Sequence, residues 1–123
     1  MFEVTIIKSF SAAHLLAEIG GKCEELHGHN FKVEVTVGAP ELNSEGILID
    51  FRLVKKWLQD ILNRMDHQHL NDLPFFAGKN PSSENIACFI YRELKDGIRN
   101  AGVTLLAVKV WESENAAVTY RED

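Results

Sequence analysis

His14, in Phe10-Ser-Ala-Ala-His14, and the run Cys23-Glu-Glu-Leu-His27-Gly-His29 combine three imidazoles with a thiol. These residue types suit an open transition-metal site beside a reactive sulfur. Side chains two apart share a face only on an extended strand, so His27 and His29 converge on one ion only if that stretch is extended. The residues that follow support a strand. Phe31, Val33, Val35 and Val37 alternate with Lys32, Glu34 and Thr36, and both histidines fall in the same odd-numbered, apolar register. Gly28 between them allows close approach of backbone or ligand. Three neutral imidazoles suit zinc and leave a fourth position for water or substrate, the pattern of a catalytic site. Cys23 as a fourth ligand would instead close the site into a structural staple.

Two further groups carry possible chemistry. In Asp66-His67-Gln-His69-Leu-Asn71, a histidine held by a carboxylate can act as general acid or base near neutral pH, with His67 the candidate and His69 expected to be solvated. Glu112, after Trp111 at a strand end, could accept paired hydrogen bonds from the N–H edge of a heterocycle, although strand-end glutamates are more often simply solvated.

The elements that position these groups are expected in the order strand, strand, helix, helix, strand, strand. Met1 to Lys8 reads as the first strand and His27 onward as the second; Pro40 to Gly46 is a turn, and Ile47-Leu-Ile49 returns as extended chain. Asp50 is the expected N-cap of a helix whose stripe is Val54, Trp57, Leu58, Ile61, Leu62 and Met65. A loop runs from Asp66 to about Asn80. Asn80-Pro81 supplies a cap and a first-turn proline for a second helix, with Ile86, Ala87, Ile90, Leu94 and Ile98 buried and Cys88 beside them on the core face. Val103 to Trp111 and Ala117 to Tyr120 form a closing hairpin. The fold class is therefore α+β, an antiparallel sheet with two helices on one face. Exposed sheet edges make oligomerisation a reasonable remedy.

At 123 residues the chain is expected to be a single domain, 1–123, that folds without needing a metal. With 46% apolar and 25% charged residues and no long apolar run, no membrane association is expected. The first residues lack the features of a signal peptide, and two cysteines do not make a disulfide framework, so the expected compartment is the cytoplasm. A net charge of −5 with scattered basic residues disfavours nucleic-acid binding. An anionic substrate would need lysines and arginines gathered locally, from one subunit or several.

The motifs Phe-x-Ala-Ala-His14, Cys23-x3-His27-Gly-His29-Asn30, Gly46-Ile-Leu-Ile-Asp50-Phe51, Asp66-His67-x2-Leu70-Asn71, Pro81-Ser-Ser-Glu84-Asn85 and Trp111-Glu112 span nearly the whole chain. In this order they resemble the 6-pyruvoyl tetrahydropterin synthases and their bacterial relatives, the 6-carboxytetrahydropterin synthases of queuosine biosynthesis. The resemblance implies the tunnelling fold, in which small sheets from several subunits join into a barrel, usually as a hexamer of two stacked trimers with active sites between subunits. It implies zinc on His14, His27 and His29, Cys23 as the proton-abstracting thiolate, and Asp66 with His67 from a neighbouring chain. Glu112 would anchor the pterin ring. Ser82 and Ser83 stand where relatives often carry threonines that help hold that ring.

By the same resemblance, the substrate is 7,8-dihydroneopterin triphosphate, and the short spacing from Cys23 to His27 is similar to that of the bacterial 6-carboxy type. The implied reaction is a zinc-dependent lyase step giving 6-carboxy-5,6,7,8-tetrahydropterin, acetaldehyde and triphosphate. The pyruvoyl-forming reaction, which releases no acetaldehyde, is the nearest alternative. A zinc-stapled interaction domain without catalysis and a zinc hydrolase are the others.

Overall fold

The computed structural model describes residues 1–17, 21 and 25–122. Five strands and two main helices are present among them: β1 (Phe2–His14), β2 (His27–Ala39), α1 (Phe51–Leu62), β3 (Gln68–His69), α2 (Ser83–Asn100), β4 (Thr104–Ser113) and β5 (Ala116–Tyr120). They form one sheet in the order β3-β1-β2-β4-β5. β1, β2, β4 and β5 are antiparallel neighbours.

Alternation along the strands decides which face is buried. On β1 the even positions Ile6, Phe10, Ala12 and His14 are buried, and on β2 the odd positions Phe31, Val33, Val35 and Val37 are fully so. The register sets Phe10 opposite Phe31 and His14 opposite His27. Both helices cover this face, with α1 against β1 and α2 against β4 and β5. Among the described residues the opposite face has no layer of its own, and on it Trp111 lies under Lys32 and Lys109 and donates its indole N–H to Glu34.

The first helix begins as expected, with the Asp50 carboxylate accepting the Arg52 N–H at 2.9 Å. Val54, Leu58, Ile61, Leu62 and Met65 are buried, and Trp57 packs half-buried against them.

Several expectations are corrected. Ile47-Leu-Ile49 is not a strand, because its backbone is used in a turn: Asn43 Oδ1 accepts from Glu45 and Ile47, and the Asn43 N–H donates to Ile47 O, around Gly46 at φ 80°. The second helix starts later than Asn80-Pro81 suggests. Its N-cap is Ser82, whose Oγ accepts the Asn85 N–H at 3.1 Å, so Pro81 lies outside the helix. Cys88 is half-buried rather than on the fully buried face that Ala87 occupies. The Asp66–Asn80 stretch is not a plain loop. It contains β3, which pairs parallel with β1 through Ala12 and Ala13 and makes the sheet mixed, then two short 3-10 turns at Leu70–Asp72 and Pro74–Phe76.

Candidate active site

The sheet register brings the three histidines together. His14 closes β1 on its buried face, while His27 and His29 open β2 in the facing register. Their ring centroids lie 4.6 Å (His14–His27), 5.1 Å (His14–His29) and 4.6 Å (His27–His29) apart. Glu112 joins them from β4 at an irregularity in the hairpin: Trp111 pairs with Ala117 and Ser113 with Ala116, so Glu112 is the extra residue of a bulge. A bulge re-aims a side chain that regular pairing would direct elsewhere. One donor atom from each of His14, His27, His29 and Glu112 lies within 4.8 Å of every other.

Hydrogen bonds fix the tautomers of two rings. His14 Nδ1 lies 2.7 Å from Pro81 O, and His27 Nδ1 lies 2.7 Å from Glu25 O. A carbonyl only accepts, so each Nδ1 carries the proton and each Nε2 presents a lone pair. His14 is completely buried, and the Nε2 atoms of His14 and His29 are buried without a hydrogen-bond partner. Glu112 Oε1 stands 3.2 Å from His14 Nε2 and 3.5 Å from His29 Nε2. Imidazole lone pairs and a carboxylate oxygen at such separations need a proton or a cation between them. Burial, aided by the neighbouring His14 and His27, holds the His29 pKa below its ordinary value despite the opposing pull of Glu112, which keeps the ring neutral and its lone pair free. Three imidazole nitrogens and a carboxylate oxygen are a donor set that suits a divalent metal such as zinc.

A second group sits at the β3 end of the sheet. Asp66 Oδ1 accepts the Ser11 N–H at 2.9 Å, and Asp66 Oδ2 receives His67 Nδ1 at 3.0 Å. The Ser11 N–H, aided by His67, lowers the Asp66 pKa below its ordinary value. His67 takes a left-handed backbone conformation at φ 58°, uncommon for a residue with a side chain, while its own N–H donates to Ser11 O. Its ring is 81% exposed. His67 and His29 border one concavity of about 480 Å³, floored by Ser11, Ala13, Gly28 and Asn30.

The two serines differ in setting. Ser82 Oγ accepts the Asn85 N–H as the helix cap and keeps its own O–H to donate, whereas Ser83 is buried, has no partner for its Oγ, and shares a smaller concavity of about 120 Å³ with Glu112, Leu16 and Glu84. Cys23 lies outside the described residues. His69 departs from expectation. It is half-buried, its Nδ1 is held 3.1 Å from Asp72 Oδ2, and its Nε2 is buried. The place of Glu112 among the donors is not readable from spacing, because it depends on a bulge.

An α+β fold whose mixed sheet gathers three histidines and a carboxylate at one end, with an unpartnered buried serine beside them, defines an enzyme-like pocket with donors that could hold a metal. A profile of the 6-pyruvoyl tetrahydropterin synthase family matches residues 3–123, and the chain belongs to that family. It is 37% identical to the 6-carboxy-5,6,7,8-tetrahydropterin synthase of Synechocystis over 91% of this chain and 87% of that one. To the human 6-pyruvoyl tetrahydrobiopterin synthase it is 35% identical, over 92% and 86% respectively. The solved Caenorhabditis elegans 6-pyruvoyl tetrahydropterin synthase superposes with a TM-score of 0.86 at 29% identity, covering 99% of this chain and 96% of that one. The protein is an enzyme of the pterin synthase type with the tunnelling fold. No helix among the described residues is long and apolar enough to cross a membrane.

Proposed function

We propose that the protein is a metal-dependent lyase that converts 7,8-dihydroneopterin triphosphate to 6-carboxy-5,6,7,8-tetrahydropterin, with release of acetaldehyde and triphosphate, in cytoplasmic queuosine biosynthesis. The observation that carries the reading is the set of inward-facing imidazole nitrogens at His14, His27 and His29, two of them buried with no partner.

His14, His27 and His29 would hold zinc, which when bound supplies Lewis acidity that lowers the cost of negative charge on a side-chain oxygen of the substrate. Cys23, as a thiolate, accepts the proton from the adjacent carbon, a role that requires its pKa to be depressed by neighbouring positive charge. His67 moves protons to and from the side chain through Nε2, because its Nδ1 is committed to Asp66. Glu112 takes the N–H edge of the pterin, leaving its position between His14 and His29 when the ring enters, and Ser83 offers its hydroxyl to the same ring. In the assembled enzyme, a ring of subunits brings Asp66 and His67 to the site of a neighbouring chain. High exposure of His67 supports a role at such a border.

The 6-carboxy product is preferred over the pyruvoyl one because three residues separate Cys23 from His27, the short spacing of the bacterial type. Identities of 37% and 35% to relatives of the two kinds do not separate them. The test of the site is metal removal and Cys23→Ala. Chelation should abolish turnover and zinc restore it, whereas Cys23→Ala should lose turnover by roughly 10²–10⁴-fold while keeping one metal per chain. Loss of the metal in Cys23→Ala would make the thiol a ligand and the centre a staple.

A further inference from the structure

Beyond His14 the chain leaves the sheet, and side chains take over the pairing of its backbone. The Leu15 N–H donates to Asn71 Oδ1 at 3.0 Å, and Leu15 O accepts from Asn71 Nδ2 at 3.0 Å. Asn80 does the same for Ala17, with its Oδ1 accepting at 2.8 Å and its Nδ2 donating at 3.0 Å. Each amide thus closes a two-point ring on one residue, as a paired strand residue does across an antiparallel ladder. A side-chain amide is suited to this because it offers a donor and an acceptor on one rigid plane.

Both asparagines belong to segments that already touch His14 or its neighbours. Asn71 lies just beyond β3, which pairs with Ala13 immediately before His14. Asn80 precedes Pro81, whose carbonyl holds His14 Nδ1, and the Asn80 carbonyl is itself held by Asn85 Nδ2 at 2.7 Å. The backbone following His14 and the carbonyl that orients its ring are therefore tied together through Asn80, with Asn71 fixing the intervening step. Displacement of either segment would turn the ring about its Nδ1 bond and carry Nε2 out of the cluster.

We propose that Asn71 and Asn80 are positioning residues for the metal centre, extending β1 by two side-chain rungs that hold His14 and its Pro81 partner in register. This rests on the reading of His14 as a metal ligand. The alternative is a clamp that supports folding alone. A structural clamp would lower the melting temperature of the metal-free protein and leave metal affinity unchanged in whatever remains folded.

The experiment measures zinc and cobalt affinity by chelator competition at a temperature where the metal-free variants are folded by circular dichroism. The unmodified chain is measured first, and failure to bind either metal would overturn the metal reading and the proposal with it. Given binding, the Asn71→Ala/Asn80→Ala double variant is expected to bind both metals about 10–100-fold more weakly, the usual effect of removing support from a ligand. Its cobalt absorption bands should also shift. Asn63→Ala, which removes the acceptor of a surface amide pair with Gln59, should bind as the unmodified chain does. If the double variant does not fold, Asn71→Asp and Asn80→Asp carry the test: each keeps the acceptor, loses the donor, and should show weakened binding. Unmodified affinity and cobalt spectrum in the folded variants would overturn the role of the asparagines while leaving the metal reading standing.

Discussion

Glu112 faces two roles at once: its carboxylate stands against the Nε2 atoms of His14 and His29, and its concavity contains the unpartnered Ser83 hydroxyl. Three histidines suffice to hold a catalytic zinc, so a permanent fourth protein ligand would block the position a substrate oxygen needs. Glu112→Gln is therefore expected to raise KM for the pterin roughly tenfold or more, the loss of a charged hydrogen bond, with metal content retained. Metal loss with unchanged KM, read by elemental analysis and steady-state kinetics, would make Glu112 a resident ligand. The Asp66 carboxylate gives a pH signature. Its pKa is lowered in the folded chain by the Ser11 N–H and His67, so its stabilising contribution is present above the ordinary value of 3.8 and is lost as pH falls through the lowered one. Urea unfolding should show a stability gap between the unmodified chain and Asp66→Asn that is wide near pH ~6 and narrows towards pH ~3. A gap independent of pH would remove the charge from the explanation.

At the scale of elements, the start of α2 gives its two serines different settings, Ser82 at the cap and Ser83 buried beside Glu112. Ser82→Ala removes the N-cap of α2 and should cost about 1 kcal/mol of stability with KM unchanged, whereas Ser83→Ala should raise KM with little change in the urea midpoint. Equal effects of the two on KM would restore Ser82 to the ring site. The elements themselves were largely legible in the chain. Strict alternation from Phe31 to Val37 fixed β2 and the face of His27 and His29, and the Val54 to Met65 stripe fixed α1. What was not legible depended on partners distant in sequence or on local side-chain competition. Asn43 drew Ile47 into a turn, β3 needed β1 beside it, and Glu112 needed a bulge to reach His14. The motifs nevertheless pointed to residues that the structure brings together, His14, His27, His29 and Glu112 in one group and Asp66 with His67 in another, because chemistry restricts residue type more tightly than hydrophobic pattern restricts geometry.

For the whole molecule, a sheet with both helices on one face has, among the described residues, a second face with no layer to cover it and two edges with unpaired backbone groups. β5 is one edge and β1 the other, since β3 pairs only with its Ala12 and Ala13, and the second face carries the Lys32, Lys109 and Trp111 cluster together with an exposed Ile7. Closing edges into a barrel removes them, which a single five-stranded sheet of this kind does not do alone. Light scattering on the purified chain is expected to give a ring assembly of six copies, and a monomer at micromolar concentration would contradict the inter-subunit site. The zinc-loaded protein would be incubated with 7,8-dihydroneopterin triphosphate, with acetaldehyde and the pterin product assayed together over time. Acetaldehyde formed in step with 6-carboxy-5,6,7,8-tetrahydropterin is the predicted result; triphosphate release without acetaldehyde would contradict it and make the enzyme a pyruvoyl-forming synthase.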